Sequence, residues 1–127
     1  MGRRVLPDIQ SRPQVRALVE RFYLKLLTDD RLAPFFDSPE AVFERLPLVS
    51  AYWDQLLLQQ GSYRRHTMEI HAAIDRRRPF EAADFSRWLE LFERTVDELY
   101  QGRLAERAKR LARRVADHMA GRVGLAE

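Results

Sequence analysis

Apolar residues recur every three to four positions along most of this chain and rarely alternate. Between Ser11 and Thr28 the residues Val15, Leu18, Val19, Phe22 and Leu26 fall on one stripe, the spacing of a helix with one face in a core. Ser11 and Pro13 mark its start, and Thr28-Asp29-Asp30 its end. A short LAPFFD segment follows. Ser38-Pro39-Glu40 is a second start, with Ser38 as the cap and Pro39 in the first turn. Pro47 is expected to divide the next region into a short helix and a longer one ending near Gln60-Gly61, because a proline ring removes a backbone donor and crowds the preceding turn. Phe85, Trp88, Leu89, Phe92, Val96 and Leu99 mark a long amphipathic helix, and Gly102 punctuates it. Leu104, Ala108, Leu111, Val115 and Met119 mark another, closed by Gly121. No alternating run is bounded by hairpin turns, so no strand is expected. The pattern predicts an all-α chain with about four substantial helices in one domain over 1–127, residues 1–10 forming a loosely ordered lead-in.

Residues 61–80 break this pattern. They are polar, basic and irregular, apart from a turn or two around Met68 to Ile74. Connections of that length are usually functional or disordered. His71 sits there, in YRRHTMEIHAAI, and has two readings. It is a partly buried histidine satisfied by a carbonyl, or it is an axial ligand to a haem iron, facing an apolar slot to which Met68, Ile70 and Ile74 contribute. His66, among Arg64, Arg65 and Thr67, reads as solvated. His118, beside Asp117, reads as a surface residue. The three histidines form no dense cluster and no HExxH occurs, which argues against zinc.

Composition narrows the chemistry. There is no cysteine, so thiolate catalysis, thiolate metal sites and disulfides are excluded. The N-terminal stretch has no apolar core of signal-peptide length, Leu6 breaks the myristoylation pattern, and no apolar run approaches a membrane span. A cytoplasmic protein without membrane partners is expected. The formal net charge is +3, and Lys25 and Lys109 are the only lysines. Arginine forks suit carboxylates and phosphates. Acidic residues are interspersed, however, so the arginines of 103–114 read as a solvated face, and no nucleic-acid partner is expected. There is no glycine-rich phosphate loop, and no Ser-His-Asp arrangement can be argued from spacing. Taken alone, Tyr23 reads as an edge residue with its hydroxyl in water. Trp53 and Trp88 read as core.

In order, Phe22-Tyr23, LAPFF, AYW at 51–53, TMEIH ending at His71 and FSRWLELFERTVDELY at 85–100 resemble the group III truncated haemoglobins. The resemblance covers the chain from about Val15 to Met119, and although each motif is weak alone, the ordered set is specific. It implies a two-over-two helical sandwich around a b-type haem. By the resemblance His71 is the proximal iron ligand, Tyr23 the distal tyrosine and Trp88 the tryptophan at the back of the distal pocket. Val49 takes an apolar distal position, Trp53 lies one turn further on, and Phe36 packs on the haem face. The haem-facing set is expected to comprise Phe36, Leu46, Trp53, Tyr63, Met68 and Phe92, with Arg64 or Arg65 pairing with the propionates.

One departure matters. Many members of that family carry a distal histidine where this chain has Arg45, which either adds a third donor beside Tyr23 and Trp88 or swings out to a propionate. Thr67 replaces a common proline, and RRRPF lengthens the loop that follows. The implied function is binding of O2 and other diatomic gases such as NO and CO. An alternative is a haem enzyme, an NO dioxygenase or peroxidase-like, which requires an external reductase. A remote alternative is an Arg-rich helical interaction domain for nucleic acid or protein.

Overall fold

The first long stripe of apolar residues folds as expected. The structure, a computed structural model, describes residues 5–36, 38–58 and 81–122, with side chains through His118. Helix α1 spans Arg12–Thr28 and buries Val15, Leu18, Val19, Phe22, Tyr23 and Leu26 on one face. A 3-10 turn follows at Ala33–Phe35. Helix α2 spans Pro39–Leu58, α3 spans Ala82–Leu99 and α4 spans Arg103–Arg122, so that Gly121 lies inside its last turn. Among the described residues there is no strand. α1 packs against α2 and α3, and α3 packs against α4.

Turn chemistry sets the joints. Ser38 Oγ accepts the Ala41 N–H at 3.1 Å and caps α2, as its position before Pro39 predicts. Asp29 ends α1 in an extended conformation. Its carboxylate accepts the Arg31 and Leu32 N–H groups, both at 3.1 Å, and the Arg87 Nε–H of α3 at 2.7 Å. Burial pushes the Asp29 pKa up, but Arg87 and the two backbone donors outweigh it, and the net value lies below the ordinary carboxylate range. Arg31 in turn reaches Asp84 Oδ1 at 2.7 Å, and Asp84 Oδ2 accepts the Glu81 N–H at the start of α3 at 2.7 Å. The stretch that carries Phe35 and Phe36 is therefore tied to the first turn of α3 by charge-assisted bonds.

One expectation is corrected. Pro47 does not divide its region, because α2 runs unbroken through it. An interior proline costs about 3 kcal/mol. Val42, Leu46, Val49, Trp53 and Leu57 lie buried on both sides of it, and each such side chain contributes roughly 1.5–3 kcal/mol when removed from water. Burial wins, and Pro47 itself stays on the exposed side. The described part of the lead-in makes contacts of its own. Ile9 is 0% exposed, Pro7 O accepts the Gln101 N–H at 2.9 Å, and the Asp8 carboxylate accepts the Leu104 and Ala105 N–H groups at 3.0 and 2.8 Å. Asp8 thus caps α4 from 96 residues away. The fit requires Gly102, whose φ is +142°; a Cβ there would stand 2.5 Å from Asp8 Cγ.

Candidate functional site

The aromatic residues of α1, α2 and α3 meet in one wall. Phe92 of α3 is fully buried and stacks between two indoles, Trp53 of α2 at 5.0 Å and Trp88 of its own helix, one turn earlier, at 5.9 Å. Phe22 of α1 meets Phe92 and Trp88 edge-on at 5.1 and 5.4 Å. Tyr23 extends the wall, edge-on to Phe22 at 5.6 Å and to Phe36 at 6.2 Å. These are favoured quadrupolar geometries, and they cross-link three helices. Leu46 and Val49, both buried, lie one turn apart on α2, whose i, i+3 spacing keeps them on one face.

Tyr23 is the polar member of this wall that departs most from its plain reading. It is 5% exposed, so its hydroxyl does not sit in surface water. Burial raises the phenol pKa well above the usual value near 10, and the positive charge of Arg45 offsets only part of that rise. The hydroxyl therefore stays protonated, a neutral O–H able to donate. Trp88 is half-buried and, like Trp53, carries a neutral donor in its indole N–H. Arg45 is exposed on α2, yet close enough for its charge to be felt at the Tyr23 oxygen.

The structure thus brings Tyr23, Phe36, Trp53, Trp88 and Phe92 together through ring contacts. It places Leu46 and Val49 on the buried face of α2 and Arg45 on the solvent side. His71, Tyr63 and Met68 lie outside the described residues. Among the described residues the only histidine is His118, which is exposed as expected, and no group of three or more His, Cys, Asp or Glu could hold a metal. On the α1 stripe Phe22 is a core position. Its contacts to Tyr23, Trp88 and Phe92 make it the hub of the wall, and the stripe spacing alone carries no signal for that.

The chemistry of this wall fits a large apolar ring. Its faces are aromatic and aliphatic, its donors (the Tyr23 O–H and two indole N–H groups) are neutral, and the buried carboxylates of the described chain, Asp29, Asp54 and Asp84, belong to other contacts. A haem needs apolar faces and few polar groups placed for orientation.

No protein-family model matches the chain. Among curated proteins, the group 3 truncated hemoglobin ctb of Campylobacter jejuni is 26% identical over 113 residues, which covers 85% of this chain and 87% of that protein. Among solved structures, the crystal structure of the group III truncated hemoglobin from Campylobacter jejuni superposes with a TM-score of 0.80 at 24% identity, covering 94% of this chain and 95% of that one. The fold is that of a truncated globin, and the sequence similarity runs along most of both chains. In sequence the chain is similar to a group 3 truncated hemoglobin along most of its length, and in fold it matches a group III one.

Proposed function

We propose that the chain binds haem b and takes up O2 and other diatomic gases at the iron, with His71 as the proximal ligand and Tyr23 and Trp88 as distal donors. The observation that carries this reading is the Tyr23 hydroxyl, buried and held un-ionised within an aromatic wall shared by three helices. The proximal assignment of His71, and the haem contacts assigned to Tyr63 and Met68, rest on the resemblance of TMEIH and its order in the chain.

When bound, the haem supplies a ferrous iron that takes up diatomic gases and shifts electron density onto them. The residues of the chain do the rest. Phe36, Leu46, Val49, Trp53 and Phe92 exclude water and lower the local dielectric. In such a setting a donor aimed at developing negative charge is worth more than in water. Tyr23 offers its O–H and Trp88 its N–H. Arg45 stands at the mouth, where its charge stays hydrated and can pair with a propionate. From there it moderates the Tyr23 phenol without displacing it as the donor.

Absorption spectra after adding haemin to the purified chain, beside His71→Ala, test this. A sharp Soret band that weakens or shifts in the variant is expected. Wild-type protein showing only free-haemin absorption would end the globin reading, and an indistinguishable variant would end the role of His71.

A further inference from the structure

Among the described residues, two buried polar atoms of α2, Ser50 Oγ and Asp54 Oδ1, find no hydrogen-bond partner, although their residues are only 6% and 5% exposed. They lie one helical turn apart, so both side chains rise from the same face. The other oxygen of Asp54, Oδ2, accepts the Arg12 Nε–H at 3.2 Å and ties this face to the first turn of α1. Native proteins rarely leave such groups unmatched, and each one calls for an explanation.

The donor count identifies what fits. A carboxylate oxygen only accepts, whereas a hydroxyl both donates and accepts. A species between them must therefore donate to Asp54 Oδ1, or hold its lone pair as a cation would. The charge of Asp54 is already matched by Arg12. A monovalent cation would bring a second positive charge into a buried interface with no counter-charge, which is expensive. A water is neutral, donates to Oδ1, and accepts from the Ser50 O–H.

We propose that Ser50, Asp54 and Arg12 form a site for one ordered water that fastens α2 to the start of α1 and fixes the rotation of α2 about its axis. Ser50 directly follows Val49, and Asp54 directly follows Trp53, one step of about 100° around the helix. A fastening on the first face therefore aims the second, which carries Val49 and Trp53 towards the wall. Ser50 and Asp54 are positioning residues for that wall. This functional half rests on the haem reading above; the water site itself does not.

The test is thermal unfolding of the haem-loaded chain as wild type, Ser50→Ala, Asp54→Asn and the double variant, with the infrared stretch of bound CO recorded for each. Ser50→Ala should lower Tm by about 2–5 °C, because the water loses a partner. The double variant should lose less than the sum of the two single losses, because they share that water. The CO band of Ser50→Ala should broaden or split as α2 loses its set rotation. If the Ser50 hydroxyl is simply orphaned, its removal relieves a buried polar group and Tm stays or rises, which overturns the water site. A Tm raised by sodium chloride but not by choline chloride overturns water in favour of a cation. A lowered Tm with an unmoved CO band overturns the positioning role. If the wild type takes up no haem, the function proposed above fails, and the same unfolding cycle on the unloaded chain still decides the water site by the sign of the Ser50→Ala change.

Discussion

Replacing Tyr23 by phenylalanine removes one oxygen and leaves the ring. The ring is what packs, with edge-on contacts at 5.6 Å to Phe22 and 6.2 Å to Phe36, so the wall should survive the change. The hydroxyl is buried, and Arg45 on the exposed side of α2 is hydrated and poorly placed to take over its role. The loss should therefore be close to one hydrogen bond to a charged group, about 1.5–3 kcal/mol. At 1.4 kcal/mol per factor of ten, O2 should leave the haem-loaded variant about 10- to 150-fold faster than the wild type. Stopped-flow displacement of O2 by CO reads that rate directly. The pH profile adds a second constraint. A phenol with a raised pKa keeps its proton throughout the neutral and mildly alkaline range, so the wild-type off-rate should be flat from about pH 6 to 9. An off-rate within twofold of wild type in Tyr23→Phe would refute the donor role. A break in the wild-type profile near pH 8 would refute the argument that burial keeps the hydroxyl protonated.

Other consequences follow from the joints of the fold. Pro47→Ala should raise stability by about 1–3 kcal/mol, because it restores a helix-interior donor at an exposed position; an unchanged or lower Tm would contradict the reading of Pro47 as a tolerated break. Gly102→Ala should cost about 2–4 kcal/mol, because it combines strain at φ +142° with displacement of the Asp8 cap; urea unfolding with an unchanged midpoint would count against that fit. Asp29 has a folded pKa below its unfolded value near 3.8, so its contribution is complete above that value and is lost as pH falls through the folded one. Acid unfolding of Asp29→Asn should accordingly show a smaller loss of stability below about pH 4 than wild type, and identical acid limbs would sink the assignment.

The helices were legible because burial dictates them locally. The stripes of α1, α3 and α4 fall where Val15 to Leu26, Phe85 to Leu99 and Leu104 to Val115 place them, and Ser38 caps α2 as its neighbours predict. What the one-dimensional pattern cannot contain is a partner far along the chain. Asp8 is one such case, since its donors, Leu104 and Ala105, lie on another helix. Pro47 looked like a break because its cost is local, whereas the burial that outweighs it is tertiary. Tyr23 is the instructive case for the site. Its stripe position leaves it on the margin between core and water. Phe22 and Phe36 then meet it edge-on, and the burial of an otherwise marginal tyrosine takes its hydroxyl out of water and raises its pKa further. The resemblance implies a distal role for Tyr23, and its burial is a property that such a role would use. Arg45 stands apart: it is exposed on α2, and its charge reaches the Tyr23 oxygen as a field that offsets part of the rise caused by burial.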